Sequence, residues 1–307
     1  YTVRAEHTDN SNDKFSWGIG SEYRNDYAMF ENQGSYNSNL DANYNTFGIF
    51  ANTGYKFNDN LIGSFHFRTD DNSTVGNNDS LKIGLQYNDI LPNLNLRTSY
   101  SEAHKLPSLY ELSGADNFGY KGNMNLNSEL SESIELALDY SIDTKSMFSF
   151  TVFESEITNL IEYSSNTYVN SSGIAKQSGL EVAYNYINEK SQFKVFATSL
   201  STKKANGTDQ LRRPEHSLGA NYVKVLDKGL NFNIDYEFFG KHFDTHNVTY
   251  NTITMPETHL VNIGLSKDYH GYDIGFRINN LLDEDYEKPH GFSQNKQKLG
   301  FFIKKSF

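Results

Sequence analysis

Residues 80–88 read SLKIGLQYN, with Leu81, Ile83, Leu85 and Tyr87 alternating with Lys82, Gly84, Gln86 and Asn88. Successive side chains of an extended strand point to opposite faces, so this stretch has one apolar and one polar face. The pattern returns in Ile134, Leu136, Leu138 and Tyr140, in Leu230, Phe232, Ile234, Tyr236 and Phe238, and in Tyr272, Ile274, Phe276 and Ile278. No helical stripe competes with it. Extended along the chain, the alternation predicts strands at 1–8, 14–25, 44–57, 61–70, 80–88, 94–102, 132–141, 146–160, 174–187, 191–203, 214–226, 230–241, 257–268, 271–280 and 296–307.

The connections between these segments alternate in length. Asn58-Asp59-Asn60, Ile90 to Asn93, Asp143-Thr144-Lys145, Asn188-Glu189-Lys190, Asp227-Lys228-Gly229 and Asp268 to Gly271 are tight polar turns. Between them lie long Asn-, Ser- and Gly-rich segments at 26–43, 71–79, 103–131, 161–173, 204–213, 242–256 and 281–295. Four of the five prolines fall in turns or loops, and Pro214 opens a strand. Long loops at one rim and tight turns at the other describe an all-β, antiparallel, up-and-down transmembrane β-barrel. Soluble sandwiches use strands of about 5–6 residues, whereas crossing a bilayer takes roughly 9–11 with a continuous apolar face. The apolar face then meets lipid. The polar one, with Lys82, Arg97, Glu135, Asp139, Asp235 and Arg277, faces the lumen.

Composition agrees with this reading. The 307 residues hold 27 Lys plus Arg against 38 Asp plus Glu, a net charge of −11, which argues against a nucleic-acid partner. No apolar run of about 18 residues exists to make a membrane helix. With no cysteine, disulfides, zinc–thiolate sites and cysteine nucleophiles are excluded together. Single-chain bacterial barrels use even strand numbers with both termini at the short-turn rim. Fifteen strands ending at that rim place Tyr1 at the other, so an odd number of further strands is expected ahead of it.

Short motifs carry a family resemblance. Residues 278–286, INNLLDEDY, with Asn280, Leu281, Asp283 and Tyr286, resemble the Val-x-Asn-Leu-Phe-Asp-x-x-Tyr motif of TonB-dependent outer-membrane receptors. TSYSEAHKLP at 98–107, SLYEL at 108–112 and GNMNLNSELSESIELALDY at 122–140 resemble another stretch of that family, Met124 and Ser128 standing where it has two prolines. FESEITNLIEYSSNTYVNSSGIAKQSGLEV at 153–182 is similar to its next hairpin. Leu299, Phe301, Ile303 and terminal Phe307 resemble the signal read by the barrel assembly machinery, with Lys305 a departure. The resemblance implies a Gram-negative outer-membrane protein, long loops extracellular, in contact with the lipid bilayer and lipopolysaccharide. Residues 1–307 would be the C-terminal portion of a 22-strand barrel. The signal peptide, plug and TonB box would lie outside it. FRTDDNS at 67–73, LRRPEHS at 211–217 and NLLDEDYEKPHGF at 280–292 resemble members of the family that import cobalamin or a related corrinoid. Haem, siderophore or metal-complex import by the same family is the alternative, and a passive porin is the alternative of another class.

Candidate ligand contacts are the aromatics of the long loops: Tyr110, Phe118, Tyr120, Tyr163, Tyr168, Phe243 and Tyr250. They suit a flat or amphipathic small molecule, and equally the aromatic girdle of any such barrel. Haem receptors of the family carry a ligand histidine in the loop between Pro107 and Gly122; here that window has none, and His104 precedes it. No metal site is assigned. His242 and His246 around Asp244, and Asp70, Asp71 and Asp79 on another loop, are the residues that would have to supply one, but as loop residues they are more simply solvated. No ordered motif selects a nucleophile, base and orienting group, so no enzyme activity and no cofactor are assigned.

Overall fold

A computed structural model describes residues 1–32, 34–35 and 37–305. The strands are β1 (Thr2–Asp9), β2 (Phe15–Asn32), β3 (Ser38–Lys56), β4 (Leu61–Asn72), β5 (Gly76–Leu91), β6 (Leu94–Lys105), β7 (Ala115–Asp116), β8 (Glu129–Ser141), β9 (Ser146–Thr158), β10 (Ile161–Ser164), β11 (Thr167–Asn170), β12 (Ile174–Ile187), β13 (Ser191–Lys203), β14 (His216–Val225), β15 (Leu230–Phe239), β16 (His242–Thr245), β17 (Thr252–Met255), β18 (Thr258–Tyr269), β19 (Tyr272–Asn279) and β20 (Lys298–Lys305). Fifteen of them form one wall in the order β1-β2-β3-β4-β5-β6-β8-β9-β12-β13-β14-β15-β18-β19-β20, every pair antiparallel. At its two ends, β1 pairs only with β2 and β20 only with β19 among the described residues. No helix there is long and apolar enough to cross a membrane.

The register puts the apolar residues of neighbouring strands on one face. Leu85 opposes Gly63 and Thr98, Leu136 opposes Thr98 and Val152, and Phe276 opposes Leu265 and Phe301. These side chains are open to the surroundings, Ile83 at 48% and Phe301 at 68%, which suits a face that lipid covers. The other face is polar and paired. Arg68 binds Asp70 at 2.6 Å and Glu22 at 3.0 Å, and Arg97 binds Asp139 at 2.8 Å. Where that face carries phenylalanine, the neighbouring strand carries glycine: a Cβ on Gly219 would stand 2.2 Å from the Phe196 ring, and one on Gly275 equally close to Phe302. The rings lie flat along the wall only because those Cβ atoms are missing.

The tight turns repeat one device. Asn58 Oδ1 accepts from the N–H of Asn60 and Leu61 at 2.9 and 2.8 Å, and Asn188 Oδ1 from Lys190 and Ser191 at 2.9 and 2.7 Å. Asp143 does the same for Lys145 at 2.7 Å, and these contacts hold its carboxyl below the usual range.

At the opposite rim the strands exceed the sequence expectation. Segments 26–43 and 71–79 are not loops: β2 continues to Asn32, β3 starts at Ser38, β4 reaches Asn72 and β5 starts at Gly76. At ~3.3 Å per residue, β2 and β3 are about 60 Å long, against about 40 Å for a tilted crossing of the hydrocarbon layer. Their upper parts lie beyond that layer, where no outward apolar stripe is required, and one face of β3 there, with Ser38, Leu40 and Tyr44, is buried. Buried Asn72 closes the β4–β5 turn, donating to Thr46 Oγ1 at 2.8 Å and accepting from Thr74 N–H at 2.9 Å.

Candidate functional site: the cap over the long-loop rim

Above the wall, the long connections pack into two structures. The first lies over β2 to β12. After β6 the chain enters a one-turn helix, α1 (Leu109–Ser113), opened by a capping box: Glu111 N–H donates to Ser108 Oγ at 3.2 Å, and Ser108 N–H to Glu111 Oε2 at 2.7 Å. Strand β7 then pairs with the tip of β3, Ser38 opposite Asp116, and Asn37 N–H donates to Asn117 Oδ1 at 3.0 Å. The β10–β11 hairpin closes the other side, with Asn123 Nδ2 donating to Tyr168 O at 2.9 Å and Ile161 N–H to Glu129 Oε1 at 2.9 Å.

A core binds these pieces. Tyr44, Leu112 and Leu126 are buried, with Leu106, Leu109, Ile161 and Tyr168 packed around them. Tyr120, 3% exposed, stacks on Tyr110 at 4.8 Å between centroids, meets Tyr168 edge-on at 5.9 Å and donates its hydroxyl to Tyr110 O at 2.7 Å. Phe30 extends the stack at 6.0 Å from Tyr110. Burial pushes the Tyr120 and Tyr168 hydroxyl pKa values up, so both phenols stay neutral. Four of the seven candidate aromatics, Tyr110, Tyr120, Tyr163 and Tyr168, therefore meet in one cluster. Tyr163 at 57% and Phe118 at 65% exposure are the most exposed candidate aromatics of this half.

The second structure lies over β13 to β20. Strands β16 and β17 form a hairpin around Asp244, whose side chain is fully buried. Its Oδ1 accepts from Arg212 Nε at 2.7 Å and from Thr245 N–H at 2.7 Å, and its Oδ2 from His290 N–H at 2.9 Å. Desolvation alone would raise this carboxyl, but the His290 N–H, the Arg212 guanidinium and the Thr245 N–H outweigh it and hold the pKa below the usual range. The INNLLDEDY motif staples the adjoining loop. Asn280, 5% exposed, donates to Glu284 O at 2.8 Å and Asn295 O at 3.2 Å and accepts Glu284 N–H at 2.9 Å. Asp283 accepts Gln297 N–H at 2.9 Å, Leu281 O accepts Gln297 Nε2 at 3.0 Å, and burial raises the Tyr286 hydroxyl pKa. Phe243 and Tyr250, 36% and 80% exposed, belong to this half and stand apart from the tyrosine cluster.

The named metal candidates do not converge. His242 and His246 sit at opposite ends of β16 and its turn, about 13 Å apart along an extended chain. His246 Nδ1 accepts the N–H groups of Val248 and Thr249 at 3.1 and 3.2 Å. Asp70 pairs with Arg68 on the inner face, whereas Asp71 and Asp79 lie on the outer face with Phe67 and Thr69. Among the described residues no group of three His, Asp or Glu side chains is arranged to hold a metal ion. Of the assembly signal, Leu299, Phe301 and Ile303 lie on the apolar face of β20, and Phe307 falls outside the described residues.

An antiparallel wall with an apolar outer face, a paired polar inner face and a folded cap at the long-loop rim defines the barrel of an outer-membrane receptor. The chain belongs to the TonB dependent receptor-like β-barrel family, whose model matches residues 1–281. The vitamin B12 transporter BtuB of Vibrio cholerae serotype O1 is 31% identical over 232 residues, covering 73% of this chain and 36% of that protein. The chain thus spans about a third of the length of the curated relatives it matches. Among solved structures, the ferric enterobactin receptor PfeA of Pseudomonas aeruginosa, a G324V mutant, superposes with a TM-score of 0.81 at 15% identity, covering 100% of this chain and 53% of that one. The siderophore receptor PirA of Acinetobacter baumannii gives 0.82 at 13%, covering 100% and 55%. At such identities the likeness is one of fold.

Proposed function

We propose that the chain is the C-terminal portion of a TonB-dependent outer-membrane receptor that captures a scarce nutrient complex at its external cap, cobalamin or a related corrinoid, and imports it. The observation that carries the corrinoid reading is the 31% identity over 232 residues to a vitamin B12 transporter. Exposed Phe118 and Tyr163, backed by the buried tyrosine stack, offer an aromatic surface of the kind a flat, amphipathic ligand packs against. Phe243 and Tyr250 offer a second on the other half of the cap. The long-loop rim faces the exterior and the apolar wall faces lipid and lipopolysaccharide. Coupling to TonB and the plug that gates the lumen lie in residues outside this chain, and the one-sided edges of β1 and β20 are where further strands of the barrel would pair. The protein acts as a transporter, with no catalytic role.

Equilibrium binding to the purified full-length receptor tests this. Cyanocobalamin is expected to bind with nanomolar affinity and haemin or a ferric catecholate far more weakly; the reverse order would transfer the assignment to iron-complex uptake. Single-channel conductance separates the receptor from a porin, since a steadily open, large pore is incompatible with a plugged lumen.

A further inference from the structure

Between the upper end of β13, the loop that follows it and the β16–β17 hairpin lies a cavity of about 180 Å³. Leu200 and Thr202 line it from the polar face of β13, and Phe243 forms an apolar side. Its chemistry comes from Arg213 on the loop and from Lys241 and His242 at the start of the hairpin. The neighbouring charges are already matched. Asp209, which also lines the cavity, is neutralised by Lys203 from outside it, and Arg212 is committed to buried Asp244. Arg213 and Lys241 take part in no ion pair among the described residues. His242 Nδ1 lies 3.2 Å from Gly240 O, and since a carbonyl only accepts, Nδ1 carries the proton and Nε2 is left free. Glu215 lines the same cavity. With Asp209 balanced by Lys203, the two fixed cations Arg213 and Lys241 against Glu215 leave a net charge of +1.

We propose that this cavity is a phosphate subsite that takes the phosphodiester of the incoming ligand. A tetrahedral anion can take donors from two separate segments, here Arg213 of the loop after β13 and Lys241 at the start of the hairpin, whereas a carboxylate is best served by a single guanidinium fork. A phosphodiester carries one negative charge, which equals the charge the cavity leaves unmatched, and Glu215 works against a dianion. The inference rests on the corrinoid reading for its ligand: cobalamin carries a phosphodiester in its nucleotide arm, and cobinamide lacks it.

The experiment compares the full-length receptor with its Arg213→Gln, Lys241→Gln double variant, binding cyanocobalamin and dicyanocobinamide. Each cation lost is expected to cost about tenfold, so cyanocobalamin weakens about a hundredfold while dicyanocobinamide stays within about twofold. Lys241→Arg restores most of one step, and Lys190→Gln, in a turn at the opposite rim, changes nothing. An equal loss for both corrinoids, or no loss for either, overturns the subsite. Should the unaltered receptor bind neither corrinoid, the corrinoid reading has failed, and phosphorus NMR line broadening of inorganic phosphate decides the cavity separately. Broadening that disappears in the double variant sustains a phosphate site; equal or absent broadening overturns it. Retention of bisphosphoryl but not monophosphoryl lipid A, lost in the double variant, identifies the outer-leaflet lipid as the phosphate source and overturns the nutrient assignment.

Discussion

The two halves of the cap hold themselves together by different physics. Over β2 to β12, Tyr120, Leu112 and Leu126 are 2–3% exposed, and the segments close around an aromatic and aliphatic core. Over β13 to β20, the hairpin and the loop before β20 converge on buried polar groups, Asp244 and Asn280, each satisfied by several partners. The first half draws mainly on removal of apolar surface from water, a driving force that involves no ionisable group. The second depends on the ionisation of one carboxylate, because a buried acceptor stripped of its donors, or donors stripped of it, costs far more than the net worth of the bonds.

Substitutions can break that comparison. Removing the Tyr120 ring by Tyr120→Ala should destabilise the first half by about 3–4 kcal/mol, since it empties the centre of the stack. Hydrogen exchange should accelerate across 106–128 and 161–170 and stay unchanged across 242–255. Asp244→Ala should show the opposite map, with a loss of about 2 kcal/mol confined to 204–213, 242–255 and 286–292. Tyr120→Phe keeps the ring and deletes only the bond to Tyr110 O, for about 1 kcal/mol, again in the first half alone. A Phe118→Ala change should leave the stability of both halves within about 0.5 kcal/mol and lower ligand affinity, because its ring is 65% exposed.

Acid sharpens the contrast without any mutation. The folded-state pKa of Asp244 lies below its unfolded value, so its contribution is complete above the ordinary carboxylate pKa and is lost as pH falls through the depressed folded value. Exchange in 242–255 should therefore rise on acidification below about pH 4 once the intrinsic pH dependence is divided out. The tyrosine cluster should not respond there, burial holding the Tyr120 and Tyr168 hydroxyls neutral.

How much of this the sequence disclosed follows from what lipid demands. Every wall strand was legible because hydrocarbon requires an unbroken outward apolar row such as Leu81, Ile83, Leu85 and Tyr87. The short turns were legible because Asn58, Asp143 and Asn188 each sit where a side-chain oxygen can cap the next amides. Strand ends at the long-loop rim were missed because β2 and β3 outlast the bilayer: beyond it no outward apolar row is required, so residues such as Asp26 and Asn43 hold the ladder with nothing in their alternation to mark them. The cap was only half legible. Aromatics in the loops stood out by type, yet which of them pack inward depends on contacts such as Phe30 with Tyr110, 80 positions apart, and on β7 adding to the tip of β3. Arg213 and Lys241 carry no local signal, since only the folded hairpin brings their segments to one cavity.

The overlong β2–β3 hairpin has a mechanical consequence. Its rungs run without interruption from Phe15 opposite Tyr55 to Asn32 opposite Ser38, so the projecting part is a cantilever whose root is clamped in the wall. Slipping by one rung would turn every side chain to the wrong side, which makes the ladder rigid along its length, while an unsupported two-stranded ribbon bends readily across its thin direction. The 106–128 segment is fastened to the free end through β7 and Asn117 and acts as a brace against that bending. Asn117→Ala would loosen this brace by deleting its side-chain bonds to Asn37 and Ser35 while the β7 ladder and the Phe30–Tyr110 stack stay, so the tyrosine platform would be carried on a softer support rather than a stiff one.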